Sequence, residues 1–252
     1  MRRIRVIPSL LLKNQGLVKT KKFRNPVYVG DPMNALRIFN EKEVDELALL
    51  DISETRFQAP LDIGFIRDVV SEAFMPISFG GGISSLLRME ELLKMGVEKV
   101  VLNSALKDGQ ALLKEGSAQF GAQSMVASMD VRSSLFRGYG MHINNGKERL
   151  KSSIVDLAHQ YEDWGAGEIL LNNIDREGTY QGYDLKLIEL IASAVDIPVI
   201  ASGGASNLSD FKSAREHGAS AVSAGSMFVF QRPNQAVLIT YPNSQEIGQI
   251  SM

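Results

Sequence analysis

Pro76-Ile77-Ser78-Phe79-Gly80-Gly81-Gly82 recurs 122 positions later as Pro198-Val199-Ile200-Ala201-Ser202-Gly203-Gly204. At the same offset, Gly96 meets Gly218, Val100 meets Val222 and Ser104 meets Ser226. Upstream, Glu46-Leu47 falls on Glu168-Ile169 and Ile52 on Ile174. About ten of the forty positions from Ile66 to Ala105 are identical in the second copy, and most others exchange like for like at apolar sites. So long a period is not that of a solenoid. It describes two halves of about 120 residues, each too open to close a core alone.

Each half alternates short apolar runs with amphipathic stretches. Strands are predicted at 4–11, 46–51, 76–79, 99–103, 124–130, 168–172, 198–202 and 219–224, short apolar runs as a sheet covered on both faces requires. Helices are predicted at 33–44, 61–74, 84–95, 108–119, 152–164, 184–195 and 207–217. Gly96, Gly165 and Gly218 read as C-terminal helix stops, Ser84 and Asn207 as N-caps. Eight strand–helix units with a twofold repeat favour an α/β fold of the (β/α)8 TIM-barrel type. A doubly wound open sheet leaves the repeat unexplained. The expected organisation is one barrel over 1–252, with half-barrels of about 1–122 and 123–230 and a tail at 231–252. That tail has poor helical periodicity, and Thr240-Tyr241-Pro242-Asn243 reads as extended and then turning, so the last helix is expected to be short or missing.

Composition narrows the function. The chain has 252 residues, a net charge of −2, no cysteine and three scattered histidines. Thiolate chemistry is excluded, a histidine-rich metal site has little to work with, and no cofactor is indicated. With no basic block and no apolar run of about 18 residues, neither nucleic acid nor a membrane is an expected partner. A cytoplasmic protein is expected.

Chemistry in such a barrel gathers at the C-terminal ends of the strands. Those ends carry Gly80-Gly81-Gly82, Asn103-Ser104, Ser202-Gly203-Gly204 and Ala224-Gly225-Ser226. Glycine backbones, serine hydroxyls and the following helix N-termini make phosphate cradles. Tight turns also need glycine, but the duplication suggests two cradles and a ligand with a phosphate at each end. Asp130 closes a buried strand between them, a costly place unless it is paired or acts as general acid or base. Asp51 closes another strand and Asp175 and Glu177 follow the strand at 168–172, while Asp31 and Asp175 also suit helix capping. At the opposite end, Arg5, Glu46, Lys99 and Glu168 each open a strand. Singly they read as solvated; together they form a neutral ring able to plug or gate the floor.

Taken in order, Gly30-Asp31-Pro32, Asp45-Glu46-Leu47, Leu50-Asp51-Ile52 and Gly80-Gly81-Gly82-Ile83 resemble the HisF family, the cyclase subunit of imidazole glycerol phosphate synthase. So do Gly165–Leu171, Ile174–Thr179, Gly182-Tyr183-Asp184 and Ile200–Gly204, and the resemblance runs from Arg5 to about Phe230. It implies a barrel of two half-barrels, a bisphosphate bound across the mouth, and a HisH-like glutaminase docked at the floor that sends ammonia along the axis. It assigns the gate to Arg5, Glu46, Lys99 and Glu168. Phosphate and substrate contacts fall to Lys19, Asp51, Gly82, Asn103, Ser104, Glu177, Gly178, Gly203, Gly204, Gly225 and Ser226.

The resemblance breaks at one place. The family's two catalytic aspartates fall at Asp130 and at Leu11. Leucine carries no proton, so ring closure is expected to be reduced or altered. The run Leu10–Asn14 and the tail Val237–Pro242 are similar to WbuZ-type HisF paralogues of surface-polysaccharide synthesis, thought to supply ammonia to a sugar amidotransferase making amidino or amino sugars. The primary expectation is such an ammonia-conducting synthase subunit. The alternatives are a histidine-pathway lyase that tolerates Leu11 and a non-catalytic scaffold that activates the glutaminase.

Overall fold

The computed structural model describes residues 3–53, 61–134, 136–234 and 236–250. The strands are β1 (Arg5–Lys13), β2 (Gly16–Lys21), β3 (Arg24–Gly30), β4 (Leu47–Asp51), β5 (Ile77–Gly80), β6 (Lys99–Leu102), β7 (Met125–Ser134), β8 (Gly138–Ile143), β9 (Glu148–Arg149), β10 (Glu168–Asn173), β11 (Val199–Ser202), β12 (Ala221–Ala224), β13 (Phe230–Gln231) and β14 (Ala236–Val237). The helices are α1 (Pro32–Glu41), α2 (Ile63–Ser71), α3 (Leu86–Lys94), α4 (Gln110–Phe120), α5 (Ile154–Asp163), α6 (Leu185–Ala192), α7 (Leu208–Glu216), α8 (Ser226–Val229) and α9 (Ser244–Ile250). Strands β1, β4, β5, β6, β7, β10, β11 and β12 pair in parallel, and β12 returns to β1, closing a (β/α)8 barrel.

The repeat is visible in the element boundaries. α1 and α5, α3 and α7, β5 and β11, and β6 and β12 correspond residue for residue at the 122-residue offset. Alternation along each strand separates two apolar sets. Val6, Leu10, Leu47 and Leu49 face the helices. Ile7, Ala48, Val101, Val126, Leu170, Ile200 and Ala221 face the axis. Two of these axial side chains are alanines, Ala48 and Ala221, and a cavity of about 10 Å³ remains beside Glu46, Ala48 and Ser78, the size of one water.

Local signals act largely as the sequence suggests. Asp31 caps α1 through the Asn34 N–H at 3.0 Å, and Asn207 forms a reciprocal capping box with Asp210 on α7. The cap of α3 is not Ser84 but Ser85, and Ser85 is the twofold mate of Asn207. Gly96, Gly165 and Gly218 follow their helix ends at φ +104°, +96° and +99°, the left-handed stop.

Two features differ from the sequence reading, and the short last helix agrees with it. The segment after the first strand, for which no element is predicted, is an antiparallel hairpin, β2–β3. The strand through Asp130 continues to Ser134 and folds back on β8, so Asp130 lies where β7 leaves the barrel rather than at a strand terminus. The last helix is short, and its work is divided. α8 has four residues and α9 seven. Tyr241 ties the intervening tail to β1 by donating to Val6 O at 2.9 Å. Asn243 and Glu246 cap α9, which buries only Ile247 and Ile250. No helix among the described residues is long and apolar enough to cross a membrane.

Candidate functional site

A cavity of about 460 Å³ opens at the C-terminal ends of the barrel strands. Asp130 stands in its wall. Its Oδ2 accepts from Asn103 Nδ2 at 3.2 Å and its Oδ1 from Asn172 Nδ2 at 3.2 Å. Burial pushes this carboxyl up to about 7, and the field of Glu177 adds to it against the Asn172 hydrogen bond and Arg132. A carboxyl near 7 exchanges a proton readily at neutral pH.

Leu11 lines the same cavity. On the barrel it pairs with Leu50, whereas Asp130 pairs with Asn172. Leu50 and Asn172 are mates at the 122-residue offset, so Leu11 occupies the twofold equivalent of Asp130. One half of the mouth has a carboxyl and its amide partner; the other has two leucines.

The β2–β3 hairpin covers part of the opening. Lys19 is 5% exposed, and its Nζ donates to Ser9 O. Burial lowers this ammonium to about 8, against the raising field of Glu177. Glu177 anchors the hairpin by accepting from Thr20 Oγ1 and from the Phe23 N–H, each at 3.1 Å. Burial raises its pKa, with those hydrogen bonds and Lys19 opposing.

The glycine edges line the cavity from both sides, Gly80–Gly82 with Asn103 and Ser104, and Gly203–Gly204 with Gly178, Gly225 and Ser226. Some of this glycine is structural. A Cβ on Gly81 would lie 2.3 Å from Asp51 O, and one on Gly203 2.6 Å from Asn173 O. Asp51 faces the cavity and accepts from the Ser53 N–H at 2.8 Å. Asp175 caps no helix. It accepts from the Ser133 N–H at 2.8 Å, and Asp184 caps α6 instead.

Sequence reading missed Asn172, Asn144, Asn145 and Tyr180. Asn172 was accessible as the second residue beyond inward-facing Leu170. The others depend on β8 and on a turn returning to the mouth. Asn144 donates its N–H to Ser104 Oγ at 2.9 Å, and Tyr180 donates to Ser226 O at 3.1 Å.

At the floor the four charges meet. Arg5 donates to Glu46 Oε2 at 2.8 Å and to Glu168 Oε1 at 2.5 Å. Lys99 Nζ donates to Glu46 Oε2 at 2.9 Å and to Glu168 Oε2 at 3.0 Å. Ser78 Oγ adds a short hydrogen bond to Glu46 Oε1. Each carboxylate bridges both cations, so the closed ring is neutral.

Residues 5–233 match the model of the family described as Histidine biosynthesis protein. The chain is 48% identical over 251 residues to a Pseudomonas aeruginosa protein provisionally named imidazole glycerol phosphate synthase subunit hisF2, covering 98% of this chain and 100% of that one. A Leptospira interrogans protein, provisionally named subunit HisF of the same synthase, is 43% identical with 96% of each chain covered. The chain belongs to the HisF family. Imidazole glycerol phosphate synthase subunit HisF of Oceanobacillus iheyensis is 36% identical, covering 97% of this chain and 96% of that one. Within this HisF-family barrel, then, Leu11 lies on the cavity wall where the family resemblance places an aspartate.

Proposed function

We propose that this HisF-family subunit receives ammonia at its floor from a HisH-like glutaminase and adds it, at the mouth, to a phosphate-bearing substrate. The observation that carries this reading is the axial arrangement: the ring of Arg5, Glu46, Lys99 and Glu168 below, small side chains and a cavity of about 10 Å³ above it, and Asp130 in a wall of the open mouth. Opening one ion pair would let a neutral molecule as small as ammonia enter an axis that hydrated ions cannot cross without heavy desolvation cost. In this reading Gly82, Asn103 and Ser104 hold one phosphate, and Gly178, Gly203, Gly204, Gly225 and Ser226 hold the other. Asp51 and Glu177 orient the bridging part, Lys19 neutralises charge, and Asp130 moves a proton. Neither a metal nor another cofactor has a part. The two halves, about 1–122 and 123–230, act as duplicate cradles, and the work is done in the cytoplasm.

For the substrate, the relatives' names favour the cyclisation step of imidazole glycerol phosphate synthase in histidine biosynthesis. Leu11 favours a second reading, in which ammonia passes to a sugar amidotransferase in surface-polysaccharide synthesis. The test uses the purified barrel with excess ammonium salt at mildly alkaline pH and the histidine-pathway bisphosphate, with a Leu11→Asp variant in parallel. Turnover by the wild type supports the cyclase. Turnover by the variant alone moves the reading to the sugar acceptor. A barrel that neither turns over nor changes the activity of a bound glutaminase would leave only the scaffold.

A further inference from the structure

Asn103 and Gly225 are mates at the 122-residue offset. In one half, the Asn103 amide reaches Asp130. In the other, Gly225 has no side chain, and a Cβ there would lie 2.3 Å from Lys19 Nζ. The ammonium therefore fills the place that the Asn103 side chain takes across the barrel. It hydrogen-bonds Ser9 O, two residues before Leu11, so it enters the mouth beside the position where the second carboxyl is missing. We infer that Lys19 is the second proton-transfer residue of the mouth, working opposite Asp130 in place of the carboxyl that Leu11 cannot supply.

The inference deepens the ammonia-transfer reading and rests on it for the identity of the reaction. Sequence resemblance gives Lys19 a substrate contact, whereas its burial and its place beside Gly225 give it a proton to move. Its acidity suits proton transfer near neutral pH. Burial brings Lys19 to about 8 and Asp130 to about 7, with Glu177 the charged group facing both. Around them, Asp51 lines the same cavity from β4. For a carbonyl acceptor the balance is complete. The ammonia nitrogen bonds to the carbonyl carbon as the oxygen takes a proton from the Lys19 ammonium. The neutral amine then recovers a proton from the newly attached nitrogen, leaving hydroxyl and amino groups on one carbon and Lys19 as it began.

Two measurements test this. The first needs no natural substrate. Pyridoxal 5′-phosphate forms an imine only with a neutral lysine, and borohydride makes the adduct permanent for peptide mass mapping. Labelling of Lys19 as a function of pH should show a midpoint near 8, and Leu11→Asp should raise it by about one unit by placing a carboxylate beside the ammonium. A midpoint above 10, or no response to Leu11→Asp, would overturn the inference. The second uses ammonia-dependent turnover. Lys19→Arg keeps the cation but cannot release a proton, and should lower kcat by about 10²-fold or more with KM changed only a few-fold. Adding Leu11→Asp to that variant should restore part of the loss. A loss confined to KM, or no rescue, would return Lys19 to binding alone. Absence of turnover in every form counts against the ammonia-transfer reading and leaves the labelling result on Lys19 standing.

Discussion

The two sides of the mouth share a backbone plan and differ in chemistry. On the β7–β10 side, Asp130 is held by amides from Asn103 and Asn172. On the β1–β4 side, the equivalent positions are Leu11, Leu50 and Gly225. All three members of the hydrogen-bonded group are replaced together. A buried carboxyl needs donors, and buried amides need an acceptor; leucines need neither. The difference teaches that the barrel accommodates either set of side chains at the same backbone positions, even with Asn172 Oδ1 buried without a hydrogen-bond partner among the described residues. It also separates what the fold requires, small residues and close turns in both halves, from what chemistry requires, present as a carboxyl in one.

The largest way to break the comparison is Asp130→Asn. It keeps the shape and the contact with Asn103 or Asn172 but removes the only carboxyl of the matched pair, and should reduce ammonia-dependent kcat by about 10³-fold. A steady-state assay checks this, with thermal melting to show that the fold is retained.

Next comes the floor, where both halves contribute equally. Glu46→Gln leaves Arg5 and Lys99 each with one carboxylate and should cost about 3 kcal/mol in urea unfolding. With the glutaminase bound, it should also reduce glutamine-dependent turnover more than ammonia-dependent turnover. Equal loss in both assays would count against conduction through the ring.

A pH series sharpens the contrast between the walls. Because Asp130 titrates near 7 in the folded chain against 3.8 as its ordinary value, the native state holds a proton that the unfolded chain has released between those values. Stability contributed at this position therefore falls as pH rises from about 4 to 7 and levels off above. Asp130→Asn lacks that penalty, so its stability relative to wild type should improve by about 3 kcal/mol over the same interval. Denaturant melts at pH 4.5 and 8 give the difference.

The smallest effect compares two twofold-related caps. Asn207 has a reciprocal partner in Asp210, whereas Ser85 accepts only from the Arg88 N–H at 3.3 Å. Asn207→Ala should cost about 1 kcal/mol and Ser85→Ala a few tenths, as read by chemical denaturation. A reversal would mean that packing, not capping, sets the difference.

Much of the fold was legible because its signals are local or periodic. Eight apolar runs, glycine stops such as Gly96 and Gly218, and the 122-residue repeat are properties of the chain itself. Less of the site was legible. Asp130 stood out as a carboxyl in a buried strand, and the departure at Leu11 was visible once the family pattern was laid over it. Asn172 read as an ordinary strand residue, and the stretch holding β8 and β9 carried too weak an alternation to mark a hairpin. The resemblance gave Lys19 a substrate contact but not its burial, and the structure packs that lysine against Ser9 and Gly225.

By itself, then, the sequence determined the barrel, its internal symmetry and the residue types at each strand end, since burial pattern and turn chemistry act over a few neighbouring positions. Only the tertiary structure decided which of those residues share a space. The Arg5–Glu168 contact spans 163 positions and the Asp130–Asn172 contact 42, and barrel closure brings both together. It also decided their acidity, because the burial that moves Asp130 and Lys19 toward neutrality comes from strands and a hairpin distant in the chain.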